Sequence, residues 1–254
     1  MPRQELKYPQ GPLNTVIRYG HNAHYDLETI HAIINSSPVS HITFNPPPSP
    51  PSTDPLLPTS PHTYPITLPL LCRTGNFTSP SSSTQNLYLH LSTSSRLYRL
   101  LPHPLTITTT HVDGLVLSLS PFSHSLNYRS ATIFGVGEAV DDPAEKLYAL
   151  ELLTNGICPG RWDPQNVRLP PTKAELAGTG VVRVRVETGV AKVRVGGPGE
   201  ERTDLGDEGV RERVWTGVVP CWTQWGEPVR GGGGRVEEVP EYLRAVLGEW
   251  NREG

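Results

Sequence analysis

The chain has 254 residues, 36% of them hydrophobic and 19% charged, with a formal net charge of −3. That length and apolar content suit one well-buried core with decorations, and the near-neutral balance offers no electrostatic footprint for nucleic acid or a membrane surface. No run approaches the roughly 18–20 apolar residues of a membrane span, and Cys72, Cys158 and Cys221 lack the spacing of a disulfide framework or a zinc site, reading instead as buried or half-buried reduced thiols.

Residues 1–13 carry Pro2, Pro9 and Pro12 and read as an arm. Its first residues, Met1 to Lys7, contain no apolar leader, so the expected location is intracellular and reducing, most simply cytoplasmic. Asp26 can cap a helix whose Ile30, Ile33 and Ile34 recur at helical spacing, and Val39 to Phe44 follows as a strand. Residues 46–65 hold nine prolines, which predicts a polyproline-rich insertion elongating a hairpin. Ile66 to Cys72 reads as a strand, residues 78–84 as a serine-rich hairpin tip, Leu87 to Leu91 as a strand and Ser94 to Leu101 as a short helix.

Thr106 to Leu119 reads as a strand, although Asp113-Gly114 is equally compatible with a hairpin turn. A polar stretch from His124 then leads into an alternating strand, Ser130 to Val140. Helices are expected over Ala144 to Leu153 and Thr172 to Gly178. Val181 to Val186 and Val190 to Val195 keep a two-residue beat and read as two strands, with another in Val214 to Pro220. Gly231 to Gly234 forms a linker to an amphipathic helix over Pro240 to Trp250. The expected layout is thus an arm (1–13), one mainly β domain (14–230) and a linked helix (231–254).

Two constellations carry chemistry. His90 with Ser92, Thr93, Ser94, Ser95 and Arg96 places hydroxyls, amides and one cation where a strand feeds a helix, a composition suited to a phosphate. An ordinary Ser/Thr-capped turn has the same composition. Arg129, at the expected mouth of its strand, offers a planar fork for the same ligand. Lys192 and Arg194 share one strand face, and Trp215 could stack or donate its indole hydrogen. Trp162, Trp222 and Trp225 belong to no motif and are expected in the core or a dimer interface. Nine scattered histidines lack metal-ligand spacing, so no metal is expected, and no G-x-S-x-G points to a hydrolase.

Asn127-Tyr128-Arg129-Ser130 followed by Ile133-Phe134-Gly135 resembles the signature strand of the pyridoxamine 5'-phosphate oxidase-like, FMN-binding split-barrel proteins, nearest to the group containing 5-nitroimidazole-resistance reductases. Tyr25 to Ile30, Val39 to Phe44, Leu87 to His90 with Ser92 to Arg96, Pro170 to Leu176, and Ala191 to Pro198 leading to Val214 to Pro220 resemble further family segments in the same order. The resemblance implies a six-stranded antiparallel split barrel forming a homodimer, with FMN in each intersubunit cleft. It places the flavin phosphate near His90 to Arg96, with Arg96 and Arg129 neutralising its charge. Asn127, Tyr128 and Ser130 would orient the ring or ribityl chain, Lys192 and Trp215 would line the site, and His90 would shape the reacting edge as the catalytic candidate.

The implied reaction is reduction of a small organic acceptor, with NAD(P)H docking transiently because no Rossmann fingerprint is present. Haem binding or degradation on the same barrel is the alternative, as is a noncatalytic flavin-binding or interaction protein that recruits partners through the proline insertion and C-terminal helix. Pyridoxamine phosphate oxidation itself is disfavoured, since the C-terminal Arg-Leu-x-x-Arg pattern is missing.

Overall fold

The computed structural model describes residues 6–47, 64–80, 82 and 84–251. Most of the proline-rich insertion, and two serines of the 78–84 loop, lie outside the described residues.

In chain order the elements are β1 (Ala23–His24), α1 (Leu27–Asn35), β2 (Ser40–Phe44), β3 (Ile66–Leu70), β4 (Cys72–Gly75), β5 (Asn86–Ser92), α2 (Arg96–Leu100), β6 (His103–Leu117), β7 (Ser125–Ala139), α3 (Pro143–Ile157), α4 (Lys173–Gly178), β8 (Thr179–Arg194), α5 (Arg202–Leu205), α6 (Glu208–Arg213), β9 (Gly217–Pro220) and α7 (Glu241–Trp250). No helix among the described residues is long and apolar enough to cross a membrane.

The strands form one antiparallel sheet in the order β3-β2-β6-β7-β8-β5-β4, with β1 added to β8 and β9 to β6. Leu71 alone separates β3 from β4, so the two ends of the sheet are joined by chain continuity rather than by hydrogen bonds, which makes a split barrel. The six expected barrel strands are β2, the β3–β4 run, β5, β6, β7 and β8. The nine-strand total arises from that interruption and from the short β1 and β9.

Alternation selects the core. Leu87 and Leu89 of β5, Leu105 and Ile107 of β6, Ala131 and Ile133 of β7, and Val182 and Val184 of β8 point inward, where α1 adds Ile30, Ile33 and Ile34. Each fully buried large aliphatic side chain contributes about 1.5–3 kcal/mol. Helix α1 starts where predicted, with the Thr29 N–H donating to Asp26 Oδ1 at 2.8 Å. On the opposite face of the sheet α3 packs Tyr148, Ala149 and Leu152 against Tyr88 and Val181. Buried Glu145 at its start accepts from the Tyr88 hydroxyl at 2.8 Å and from Arg183 Nη1 at 3.0 Å.

Several expectations need correction. Strand β7 begins at Ser125, so Asn127 to Ser130 lie inside a paired strand, with Arg129 between His111 and Val193 rather than at a strand mouth. Asp113 is a bulge rather than a turn, because β7 and β9 pair with β6 on either side of it. The two predicted strands around residue 188 are a single β8 with a register shift at Glu187. Trp222 and Trp225 are 56% and 38% exposed, which removes the core from the two settings expected for them and leaves a dimer interface, and Cys221 is exposed rather than buried or half-buried. Helices α5 and α6 were not anticipated. They are four and six residues long, with no buried residue to signal them.

Candidate functional site

The turn after β5 is built by local hydroxyl bonding. Ser95 caps α2, accepting the Tyr98 N–H at 3.1 Å, while Ser92 Oγ receives the Ser94 N–H at 3.2 Å. The Thr93 N–H donates to Gly178 O at 3.1 Å and ties the turn to the end of α4. Arg96 projects into solvent and makes no side-chain hydrogen bond or ion pair among the described residues. His90, two residues before the turn, points away from the core beside Val181. Desolvation holds its imidazole below the usual pKa, so it is neutral at pH 7. Its ring nitrogens have no hydrogen-bond partner among the described residues, whereas His31, His103, His111 and His124 are bonded to Tyr8, Asn45, Ser36 and Ser118. His41, on the outer face of β2, is uncommitted in the same way.

The second group is assembled by the β7–β8 register, which sets Tyr128 beside Arg194, Arg129 beside Val193 and Ser130 beside Lys192. Asn127 is buried and spends its amide locally, donating to Gly196 O at 3.1 Å and accepting from Arg194 Nη1 at 2.6 Å. The Ser130 hydroxyl donates to Lys192 O at 3.2 Å. Arg129 is held by Asp113, a partner that composition did not reveal. Tyr128, Lys192 and Arg194 lie on the sheet face opposite the core, as alternation predicted.

The two groups do not meet within one chain. His90 pairs with Val181, and Lys192 lies eleven residues further along β8, a contour of about 36 Å at roughly 3.3 Å per residue. Trp215 is also apart from Lys192. It precedes β9, on the far edge of β6, and is 63% exposed. A cavity of about 600 Å³ between α3 and the residues leading to α4 is lined by Leu147, Tyr148, Glu151, Trp162 and Leu169 among others and contains none of the predicted site residues.

Sequence reasoning missed Arg18 and Tyr19, which bring a cation and an exposed ring to the Lys192 end of β8. Tyr19 has left-handed backbone, φ 55, which no residue pattern announces in a residue other than glycine.

Comparison with known proteins agrees with this architecture. Two solved structures align over nearly the whole chain. The flavocytochrome Anf3 from Azotobacter vinelandii is 25% identical with a TM-score of 0.72, covering 92% of this chain and 96% of its own. The FAD and haem binding protein from Mycobacterium smegmatis is 25% identical with a TM-score of 0.68, covering 88% of this chain and 96% of its own. No curated protein matches the chain. The sequence pattern described as pyridoxamine 5'-phosphate oxidase matches residues 26–193, from the cap of α1 to the last core residue of β8. With the split barrel, the ordered motifs and that match in agreement, the chain belongs to the pyridoxamine 5'-phosphate oxidase family.

Proposed function

We propose that this protein is a flavin- and haem-binding oxidoreductase that moves electrons from NAD(P)H to haem or a small organic acceptor. The observation that carries the reading is the extent of the likeness to two proteins named for such cofactors. It covers 92% and 88% of this chain, more than residues 26–193 alone supply.

The donor set fits both groups. Arg96 is an exposed cation without a carboxylate among the described residues, beside the four hydroxyl residues Ser92 to Ser95, as a phosphate requires. His41 offers an exposed imidazole with no hydrogen-bond partner among the described residues, the ligand type that haem iron takes. The 600 Å³ cavity is large enough for a ligand but is lined by no histidine, cysteine or methionine, so it supplies no such nitrogen or sulfur.

When bound, the flavin supplies the exchange between two-electron and one-electron chemistry. Arg96 would balance its phosphate charge, and His90 would accept or donate one hydrogen bond to it. Asn127 and Ser130 act as positioning residues, because their polar groups are bonded to Gly196, Arg194 and Lys192. A homodimer is part of the proposal: the groups at opposite ends of β8 can face one cleft only when a second copy supplies one of them.

Anaerobic addition of NADPH to the purified holoprotein tests the reading. The expected result is bleaching of the flavin bands followed by growth of a reduced-haem band. Bound cofactors that remain oxidised with both NADPH and NADH would contradict it.

A further inference from the structure

Residues 15–22 cross the Lys192 end of β8 and are anchored there on both sides. Before them, buried Asn14 donates to Thr188 Oγ1 at 2.7 Å and to Gly189 O at 3.0 Å. After them, β1 pairs Ala23 with Lys192. Between the anchors Tyr19 takes left-handed backbone, φ 55 and ψ 49, stabilised by the Asn22 N–H donating to Tyr19 O at 3.0 Å. Such a conformation is costly outside glycine and persists when its surroundings hold it. Here it presents a tyrosine that is 56% exposed, two positions after Ile17 at 93%.

Cations gather on this ring. The Arg18 guanidinium is 5.1 Å and the Lys192 ammonium 5.8 Å from its centre. Arg194, one step along the same face of β8, donates to Asn127 Oδ1 and Gly197 O. None of these three has a carboxylate partner among the described residues, whereas Arg129, Arg168 and Arg183 all have one. Unneutralised positive charge is therefore concentrated beside an exposed aromatic and aliphatic platform.

We infer that Arg18, Tyr19 and Lys192 form a subsite for an adenosine diphosphate group, the diphosphate drawing the two cations off the Tyr19 ring and the purine taking their place on it. The inference rests on the redox reading above, since FAD and NAD(P)H share this group and FMN lacks it. An aromatic face accepts any base by stacking, and a guanidinium fork with an ammonium matches two adjacent phosphates. A simple phosphate would use the cations and leave the platform idle.

The test is calorimetric titration of ADP into the purified full-length chain, before and after its flavin is stripped. ADP is expected to bind at least about tenfold more tightly than inorganic phosphate. Arg18→Ala and Lys192→Met should each weaken ADP about tenfold, the effect of one charge-assisted hydrogen bond. Tyr19→Phe should bind like the parent, and Tyr19→Ala more weakly. Binding only after stripping assigns the subsite to FAD, and binding to both forms assigns it to NAD(P)H. ADP affinity unchanged in Arg18→Ala, Lys192→Met and Tyr19→Ala, or no preference for ADP over phosphate, overturns the subsite. Flavin retention separates this result from the wider reading. A chain that keeps flavin but ignores the three substitutions loses only the subsite. One that binds ADP through Arg18 yet never takes up flavin loses the proposed function.

Discussion

Arg129 grips Asp113 through two nitrogens, Nη2 at 2.8 Å and Nε at 3.0 Å, with Asp113 sitting at the bulge of β6. The fork that suits a phosphate is thus already facing a carboxylate, while Arg96 faces none among the described residues. Arg96→Ala is expected to weaken flavin binding by about tenfold or more, and Arg129→Ala to change it within about fivefold, since an exposed pair is worth about 1 kcal/mol or less. Asp113→Asn removes the competing charge and should tighten binding. Titration by quenching of flavin fluorescence measures all three, and equal losses from the two arginines would contradict the ranking.

Arg73 is 5% exposed and has no carboxylate partner among the described residues, yet it donates to Gly156 O, Ser37 O and Cys72 O. It joins the end of α3 to the segment after α1, where carbonyls are left over and favour a cation. Arg73→Met should destabilise the fold by about 3 kcal/mol or more, because those buried acceptors lose their donors. Urea denaturation gives the number, and Arg73→Lys should recover only part of it, since an ammonium cannot reproduce the planar fork.

How far the sequence was readable depends on whether a feature is local. The start of α1 was legible because Asp26 and the Ile30, Ile33, Ile34 spacing act within three turns. The Val-Arg beat of β8 marked its inner and outer faces, but Glu187 reads as a strand break, and only the continued pairing with β7 shows it to be a bulge. Asp113-Gly114 misleads in the same way: turn chemistry is local, whereas the two strands flanking it arrive from distant sequence. At the site, the residue types were visible, but their commitments were not. Nothing in the motif reports that Asn127 is consumed by Gly196 and Arg194, or that Arg73 is buried.

His31 ties α1 to the N-terminal segment, with Nε2 2.8 Å from the Tyr8 hydroxyl, and burial lowers its pKa from 6.5 to about 4. Between those values the unfolded chain binds the proton that the folded one refuses, so stability falls as pH drops through that window. Asp26 and Glu175, whose pKa values are depressed below 3.8 and 4.5, stabilise the fold above those values and lose that contribution only at lower pH. The urea midpoint should therefore decline from pH 6.5 to 4.5, and His31→Gln should flatten that decline. An identical slope in the variant would remove His31 as its cause.

Gly135 of the signature strand faces the β8 bulge, where an added Cβ would collide with the Arg185 carbonyl oxygen. Gly135→Ala should cost about 1–3 kcal/mol, as overpacking against backbone does. Gly178→Ala, which meets open space at the end of α4, should be neutral or stabilising. Paired thermal melts compare them, and equal melting temperatures would count against the close approach.

The most direct test of the central claim is the visible spectrum of the purified protein, followed by extraction and quantification of whatever it carries. Reconstitution with FMN, FAD and haem completes the measurement. The account predicts two flavin bands together with a Soret band that sharpens on reduction, and one flavin and one haem per chain. A colourless protein that takes up neither cofactor after reconstitution would contradict it.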